Sequence, residues 1–239
     1  MWLWGKINMP IRALVWKELR SSALIVAIAG FVFGAWLMWL TNGFGLWPQP
    51  PMYSYQQSEC ELAIVDGAFW YAVLAGSLSL FLGINAARTE SIGKHWQFAL
   101  FRPVSRRMVM ATKIAVGVLL SSVISVVPLF VYFVWLRQPG NLQGPFDSSF
   151  YRPTCSVWIW TPLMFLAAFW SELNEARWWG SKFWPVLGVI VACFWLWFMP
   201  LVEPREFAFM LDVLPVGWFV LGGLLLAAVM GVGAERDFA

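Results

Sequence analysis

The chain has 239 residues, of which 60% are hydrophobic and 12% are charged, and its mean hydropathy is +0.68. A soluble domain carries about 25% charged residues, so this composition excludes a soluble protein and predicts a multi-pass membrane protein. The formal net charge is +3. Because that sum is small, the position of the charges matters more than their total, and we expect no nucleic-acid partner.

Residues 1–22 predict an amphipathic helix. The apolar residues fall on one helical face and the basic residues largely on another: Ile11, Leu14, Val15 and Leu19 against Arg12, Lys17 and Arg20. Trp16 and Glu18 interrupt this pattern. We interpret the segment as an elbow helix lying in the membrane interface. The alternative is a simple extension of the first span into the cytoplasm. No signal-peptide cleavage site follows the first apolar run, so we expect this run to be retained.

Six apolar stretches follow, each near the ~20 residues that a membrane helix needs. They lie at about 23–40, 68–87, 110–136, 157–174, 183–201 and 213–233. The apolar run of the fourth covers only 157–170 and contains Pro162, and it reaches full length by continuing through Ser171. The predicted fold is therefore an all-α membrane protein with an elbow helix over 1–22 and a six-span transmembrane domain over 23–239.

The basic residues predict the orientation. With a cytoplasmic N-terminus, thirteen of the sixteen Lys and Arg fall inside and three fall outside. This bias agrees with the positive-inside rule and places both termini in the cytoplasm. Six of the inside residues lie between Arg88 and Lys113. If the fourth span were absent, the later loops would change sides and the bias would rest on the N-terminal half.

The two longer outer loops are predicted at 41–67 and 137–156, and each contains one cysteine. Cys60 and Cys155 would therefore lie outside, where disulfides persist. A bridge between them is a hypothesis, since spacing alone does not bring their Cα atoms within about 7 Å. A third outer segment, 203–215, alternates charges with aromatic residues between two prolines. It fits either a short helix dipping into the interface or an ordinary surface loop.

Motifs for catalysis are missing from the sequence. It contains no G-x-x-x-x-G-K-[ST] phosphate loop and no H-E-x-x-H motif, and its single histidine, His95, lies in the basic loop. We therefore expect no enzymatic activity, no metal and no cofactor in this chain itself. Acidic residues sit at the ends of the spans, which argues against an ion-coupled carrier. The polar residues within the spans either line a path or bond neighbouring helices: Ser77, Ser79, Asn85, Ser121, Ser122 and Ser125.

Two segments carry a resemblance to a known family. The loop between spans two and three contains Thr89-Glu90-Ser91-Ile92-Gly93-Lys94, an apolar turn Phe98-Ala99-Leu100-Phe101, then Arg102-Pro103-Val104-Ser105-Arg106-Arg107 and Lys113 at the next span. Before span one stands Trp16-Lys17-Glu18-Leu19-Arg20. Both segments resemble the permease subunits of ABC-2-type transporters.

This resemblance implies a type V exporter-like fold. It implies a cytoplasmic coupling helix within the loop 88–109, short re-entrant helices before span six, and a dimer of permeases in the inner membrane. Two separate ATPase subunits would bind ATP and Mg²⁺. The residues expected to contact the ATPase are Glu90, Gly93, Lys94, Phe98, Leu100, Phe101, Pro103, Arg106 and Arg107, and those of the elbow helix are Lys17, Glu18 and Arg20.

The loop has physical features that suit such a contact. Glu90 is expected near the start of a helical segment, where a carboxylate complements the helix dipole. Phe98 and Leu100 can enter a groove on a partner, and Pro103 ends the helix. Arg106, Arg107 and Lys113 can bind acidic partner residues, or they enforce topology and touch lipid phosphates. A non-transporting scaffold that docks a soluble partner is the alternative function. The aromatic-rich spans favour an amphipathic or lipid-like cargo.

Overall fold

The computed structural model describes residues 2–41, 57–91, 106–137, 152–173, 183–191 and 220–231, with the side chains described over 12–41, 69–88, 108–135, 137, 158, 160–173 and the last two ranges. These ranges hold six helices and no strand. They are α1 (Trp2–Leu40), α2 (Gln57–Ser91), α3 (Arg106–Leu136), α4 (Arg152–Leu173), α5 (183–191) and α6 (Val220–Gly231).

Three of these helices have the length and apolar character of membrane spans. They are Arg12–Leu40, Phe69–Arg88 and Met108–Trp135 among the described residues, and α6 is a shorter apolar helix. An all-helical membrane protein is thus confirmed at this level. α4 has 22 residues with Pro162 inside it. At 1.5 Å per residue this helix is about 33 Å long, so its proline does not shorten it below the thickness of a membrane.

The helix ends differ from the predicted ones in two places. α1 continues without a break through residues 2–22 into the first span. This matches the alternative in which residues 1–22 simply extend the first span. α2 begins at Gln57, so residues 57–67, which were predicted as part of a loop, are helical. The segment contains no proline and only one glycine, so no residue in it forces the helix to end.

Contacts between side chains give the direction of each helix. Lys113 of α3 pairs with Glu18 of α1, and farther along both helices the rings of Tyr132 and Trp36 lie 5.9 Å apart. Residue numbers therefore rise together, and α1 and α3 run in the same direction.

α2 runs opposite to α1. Its residue Asn85 donates a hydrogen bond to the carbonyl of Ser21 at 3.4 Å, while the ring of Tyr71 lies 6.1 Å from that of Phe33. Residue numbers fall along one helix as they rise along the other. α1, α2 and α3 thus alternate in direction, as the predicted spans require.

α4 runs parallel to α2 and opposite to α3. The indole of Trp158 donates to the carbonyl of Ser122 at 3.1 Å, and the far end of α4 reaches Arg88 through Glu172. Several consecutive side chains of α4 are almost fully buried: Phe165, Leu166, Ala167, Ala168 and Phe169. Burial on all sides identifies α4 as the central helix of the described bundle.

Small residues let α2 and α4 approach closely. A Cβ atom added at Gly83 would lie 2.5 Å from the carbonyl oxygen of Phe165 and 2.8 Å from the Cβ of Ala168. Gly117 of α3 faces the ring of Phe165 in the same way. Membrane helices gain packing energy where glycine and alanine allow such contact. These glycines therefore set the spacing of α2, α3 and α4.

The other two helices join the same core. Val189 of α5 and Leu225 and Val229 of α6 are buried within it. Gly222 of α6 lies beside Leu163 of α4, since an added Cβ would come within 3.1 Å of a Leu163 methyl group. α6 thus packs on the α4 side of the bundle.

Candidate functional site

A buried ion pair lies near the end of the bundle where α3 begins. The Lys113 Nζ atom is 3.1 Å from a carboxylate oxygen of Glu18, and their side chains are only 2% and 5% exposed. Lys113 also donates a hydrogen bond of 2.9 Å to the carbonyl of Ala86. One ammonium group therefore joins α1, α2 and α3.

The sequence places Glu18 on the inner face of α1. Leu14, Glu18 and Ser22 are spaced four residues apart and are all buried, as residues at this spacing share one helical face. A carboxylate buried on an apolar face is costly unless it is paired. Lys113, buried beside Ile114 on α3, supplies the matching charge.

A second ion pair lies at the same end. The Arg88 Nε atom is 2.6 Å from a carboxylate oxygen of Glu172, with side-chain exposures of 55% and 15%. It joins the end of α2 to the end of α4. We call Glu18, Asn85, Arg88, Lys113 and Glu172 the charged base. Through these five residues, polar contacts tie α1, α2, α3 and α4 together beside the connection from α2 to α3.

The structure corrects the expectation for Lys113. This residue was expected to bind acidic partner residues or lipid phosphates, but its side chain is buried and paired with Glu18, so the expectation is wrong. Of the elbow residues, Glu18 points into the bundle, whereas Lys17 and Arg20 are exposed. The three residues therefore do not form one surface.

The residues predicted to contact a partner lie only partly in the described structure. Glu90 is the penultimate residue of α2, which ends at Ser91. The helical segment that Glu90 was expected to precede would fall in 92–105, outside the described residues. Arg106 and Arg107 form the first turn of α3. The other predicted contact residues lie outside the described part of the chain: Gly93, Lys94, Phe98, Leu100, Phe101 and Pro103.

Most of the polar residues within the spans bond to the helices themselves. Ser79 donates to the carbonyl of Ala75 and Ser121 to that of Val118. Ser125 donates to the carbonyl of Ser121, and its own carbonyl accepts a bond from the Tyr71 hydroxyl. Ser79, Ser121 and Ser125 are fully buried. Of the six polar residues considered, Asn85 bonds a neighbouring helix, through the carbonyl of Ser21, whereas the hydroxyls of Ser79, Ser121 and Ser125 bond their own helices.

Cys60 and Cys155 lie near the first turns of α2 and α4. These helices run in the same direction, so the two cysteines lie toward the same end of the described bundle. Their registers differ, however. The Arg88–Glu172 pair fixes the register of α2 against α4. If both helices are straight, Cys60 lies roughly 16 Å farther from this pair, along the bundle axis, than Cys155 does. A disulfide requires Cα atoms within about 7 Å, so the bridge would need α2 to bend.

Among the described residues, no group of three His, Cys, Asp or Glu side chains is placed to hold a metal ion. No protein-family model matches the chain, and no curated protein or solved structure shows significant similarity to it.

Sequence reasoning missed the two ion pairs, although it contained a usable signal for one of them. Glu18 was noted only as an interruption of an apolar face. An acid at such a position needs a cation inside the bundle, and Lys113 stands at the entry to the third span. For Glu172 and Arg88 no comparable signal exists, because both lie at helix ends where charges are ordinarily solvated.

Proposed function

We propose that the chain is the permease subunit of an ATP-driven ABC-2-type transporter, working as an exporter in the inner membrane with both termini in the cytoplasm. It forms the substrate path as one of two permeases, and separate ATPase subunits bind ATP and Mg²⁺. The chain itself is not an enzyme.

The Glu18–Lys113 ion pair carries this proposal. The resemblance to ABC-2 permeases rests on two segments far apart in sequence, the Lys-Glu segment before span one and the loop that ends with Lys113. The structure brings these two segments into contact through a buried salt bridge. A direct contact between them supports the idea that both belong to one device at the cytoplasmic end of the bundle.

In this proposal the charged base transmits movement from the loop 88–109 to the spans. α2 ends at Ser91 and α3 begins at Arg106, so both helix ends lie within the loop 88–109. Lys113 holds α3 to the carbonyl of Ala86 on α2 and to Glu18 on α1. Displacement of the loop by a partner would therefore move three helices together, because networks of packed and bonded side chains carry such coupling.

The remaining features belong to the same proposal. Six spans, the first of them extended by residues 2–22 of α1, a coupling helix in the loop and re-entrant helices within 203–215 would complete the fold. Phe98, Leu100 and Phe101 would enter a groove on the ATPase, and the basic residues Lys94, Arg106 and Arg107 would surround that contact. An amphipathic or lipid-like cargo fits the apolar spans.

One observation favours the alternative of a non-transporting scaffold. Three of the serines within the described spans are buried and bonded to their own helix backbone, so they offer nothing to a polar substrate. A scaffold would keep the docking role of the loop without a path through the bundle.

Copurification from native membranes tests the proposal. The tagged full chain is expected to bring down a protein with a nucleotide-binding motif, and Phe98→Ala with Leu100→Ala is expected to reduce its recovery at least fivefold. Arg12→Ala, an exposed α1 residue outside the loop, serves as the matched control and should retain the partner. A partner that lacks a nucleotide-binding motif would support the scaffold instead.

A further inference from the structure

An apolar groove lies between α3, α4 and α6. This open groove has a volume of about 790 Å³, which is within the ~300–1,000 Å³ range of small-molecule sites. Its lining includes Ala111, Ala115 and Val118 of α3, Leu166 of α4, and Gly223 and Met230 of α6. This groove is separate from the charged base, and no step of the proposed function uses it.

The groove offers almost no polar atom to a ligand. Ser122 is the only polar residue among those that line it in the described structure. The indole N–H of Trp158, another lining residue, already donates a hydrogen bond to the Ser122 carbonyl, which leaves the Ser122 hydroxyl as the polar side-chain group on the described lining. A polar ligand would lose its hydration without gaining partners, so the groove suits a hydrocarbon ligand.

The length of the groove matches one leaflet of a membrane. On α3 it extends from Ala111 to Ser122, which corresponds to roughly 17 Å of helix. Half the hydrocarbon core of a bilayer is about 15 Å thick. The groove therefore has the length of a single acyl chain that extends from the membrane surface to the middle of the bilayer.

Small residues keep this space open. Ala111 and Ala115 leave room on α3, and a Cβ atom added at Gly223 would meet nothing within 4 Å. An apolar chain lying in this groove would make dispersion contacts with the side chains around it. Acyl chains are the apolar molecules present at high concentration around a membrane helix, and one of them would supply those contacts.

Charge at the open end indicates which lipid is bound. Arg106 and Arg107 form the first turn of α3, next to Ala111 where the groove reaches the membrane surface. Arginine at this level attracts anionic headgroups. We propose that the groove binds an acyl chain of an anionic phospholipid from the leaflet that borders the start of α3, which is the predicted cytoplasmic leaflet.

Photocrosslinking tests this site on the full chain in nanodiscs. The probe is phosphatidylglycerol with a diazirine in one acyl chain, and phosphatidylcholine with the same diazirine is the comparison. We expect phosphatidylglycerol to label peptides from 111–122 and 222–230. Ala115→Phe should reduce this labelling at least fivefold by filling the groove. Ala27→Phe, the same change at an exposed position of α1 outside the groove, should leave it unchanged.

Two further variants complete the test. Gly223→Leu fills the groove from α6, where space is open, and is used if Ala115→Phe does not fold. Arg106→Gln with Arg107→Gln should remove the preference for phosphatidylglycerol over phosphatidylcholine. Equal labelling in the filled variants and the wild type, or labelling spread evenly over the exposed face of α1, would show annular lipid only and overturn the proposal. Since no ATPase is needed, failure here would not bear on the transporter proposal.

Discussion

Glu18 and Lys113 form a salt bridge of 3.1 Å in which both side chains are almost completely buried. Residues that lie 95 positions apart in the sequence thereby hold the first and third helices together, and the carbonyl of Ala86 adds the second helix. A charged side chain is tolerated at this depth only where a partner of opposite charge is held beside it. The pair is therefore the structural centre of the charged base.

The stability of the bundle should depend on both members of this pair. Glu18→Gln and Lys113→Met are each expected to lower the free energy of unfolding by about 3–5 kcal/mol, because each leaves a buried partner unmatched. The double variant should cost less than the sum of the two. Unfolding of the purified chain in detergent, followed by circular dichroism, measures this. If the losses of unfolding free energy in the two single variants simply added up in the double variant, the two charges would not interact. Arg12→Gln is the control at an exposed position.

The second ion pair should contribute much less. Arg88 is 55% exposed in its contact with Glu172, so solvent screens the attraction. Arg88→Gln is expected to lower the free energy of unfolding by no more than about 1 kcal/mol. The same unfolding assay measures it. A loss as large as that of Lys113→Met would mean that Arg88 does more than pair at a surface.

Helix spacing can be tested at two glycines of α2. Gly83→Ala should destabilise the bundle by about 1–3 kcal/mol, because its new methyl group would lie 2.5 Å from the backbone of Phe165. Gly76→Ala is the matched control, since its methyl group would meet only a Met164 side chain at 3.6 Å. Melting temperatures in detergent compare the two variants. Equal melting temperatures would contradict the close approach of α2 and α4.

The helical register also predicts the state of two cysteines. Because straight helices would separate Cys60 from Cys155 by roughly 16 Å along the bundle, we expect no disulfide between them. Alkylation of the unfolded chain should then proceed to the same extent with and without prior reduction, as measured by intact mass. Two additional alkylated cysteines after reduction would show that α2 bends near its start.

Much of the fold was predictable because apolar runs of membrane length leave few choices. The spans beginning near 23, 68 and 110 lie within α1, α2 and α3. The ends were less predictable: residues 57–67 are polar enough to resemble a loop, yet they continue α2. Ion pairs such as Arg88–Glu172 could not be predicted, since the choice of partner depends on how helices pack.

The most direct test of the transporter proposal is amine crosslinking in native membranes. Lys94 lies within the loop 88–109, whereas Lys17 is exposed on α1 and serves as an internal comparison. We predict that mass spectrometry will find Lys94 linked to a subunit that carries a phosphate-binding loop, and that Lys94→Arg will abolish this link. Lys94 linked only to proteins without such a loop would contradict the assignment of this chain as an ABC permease.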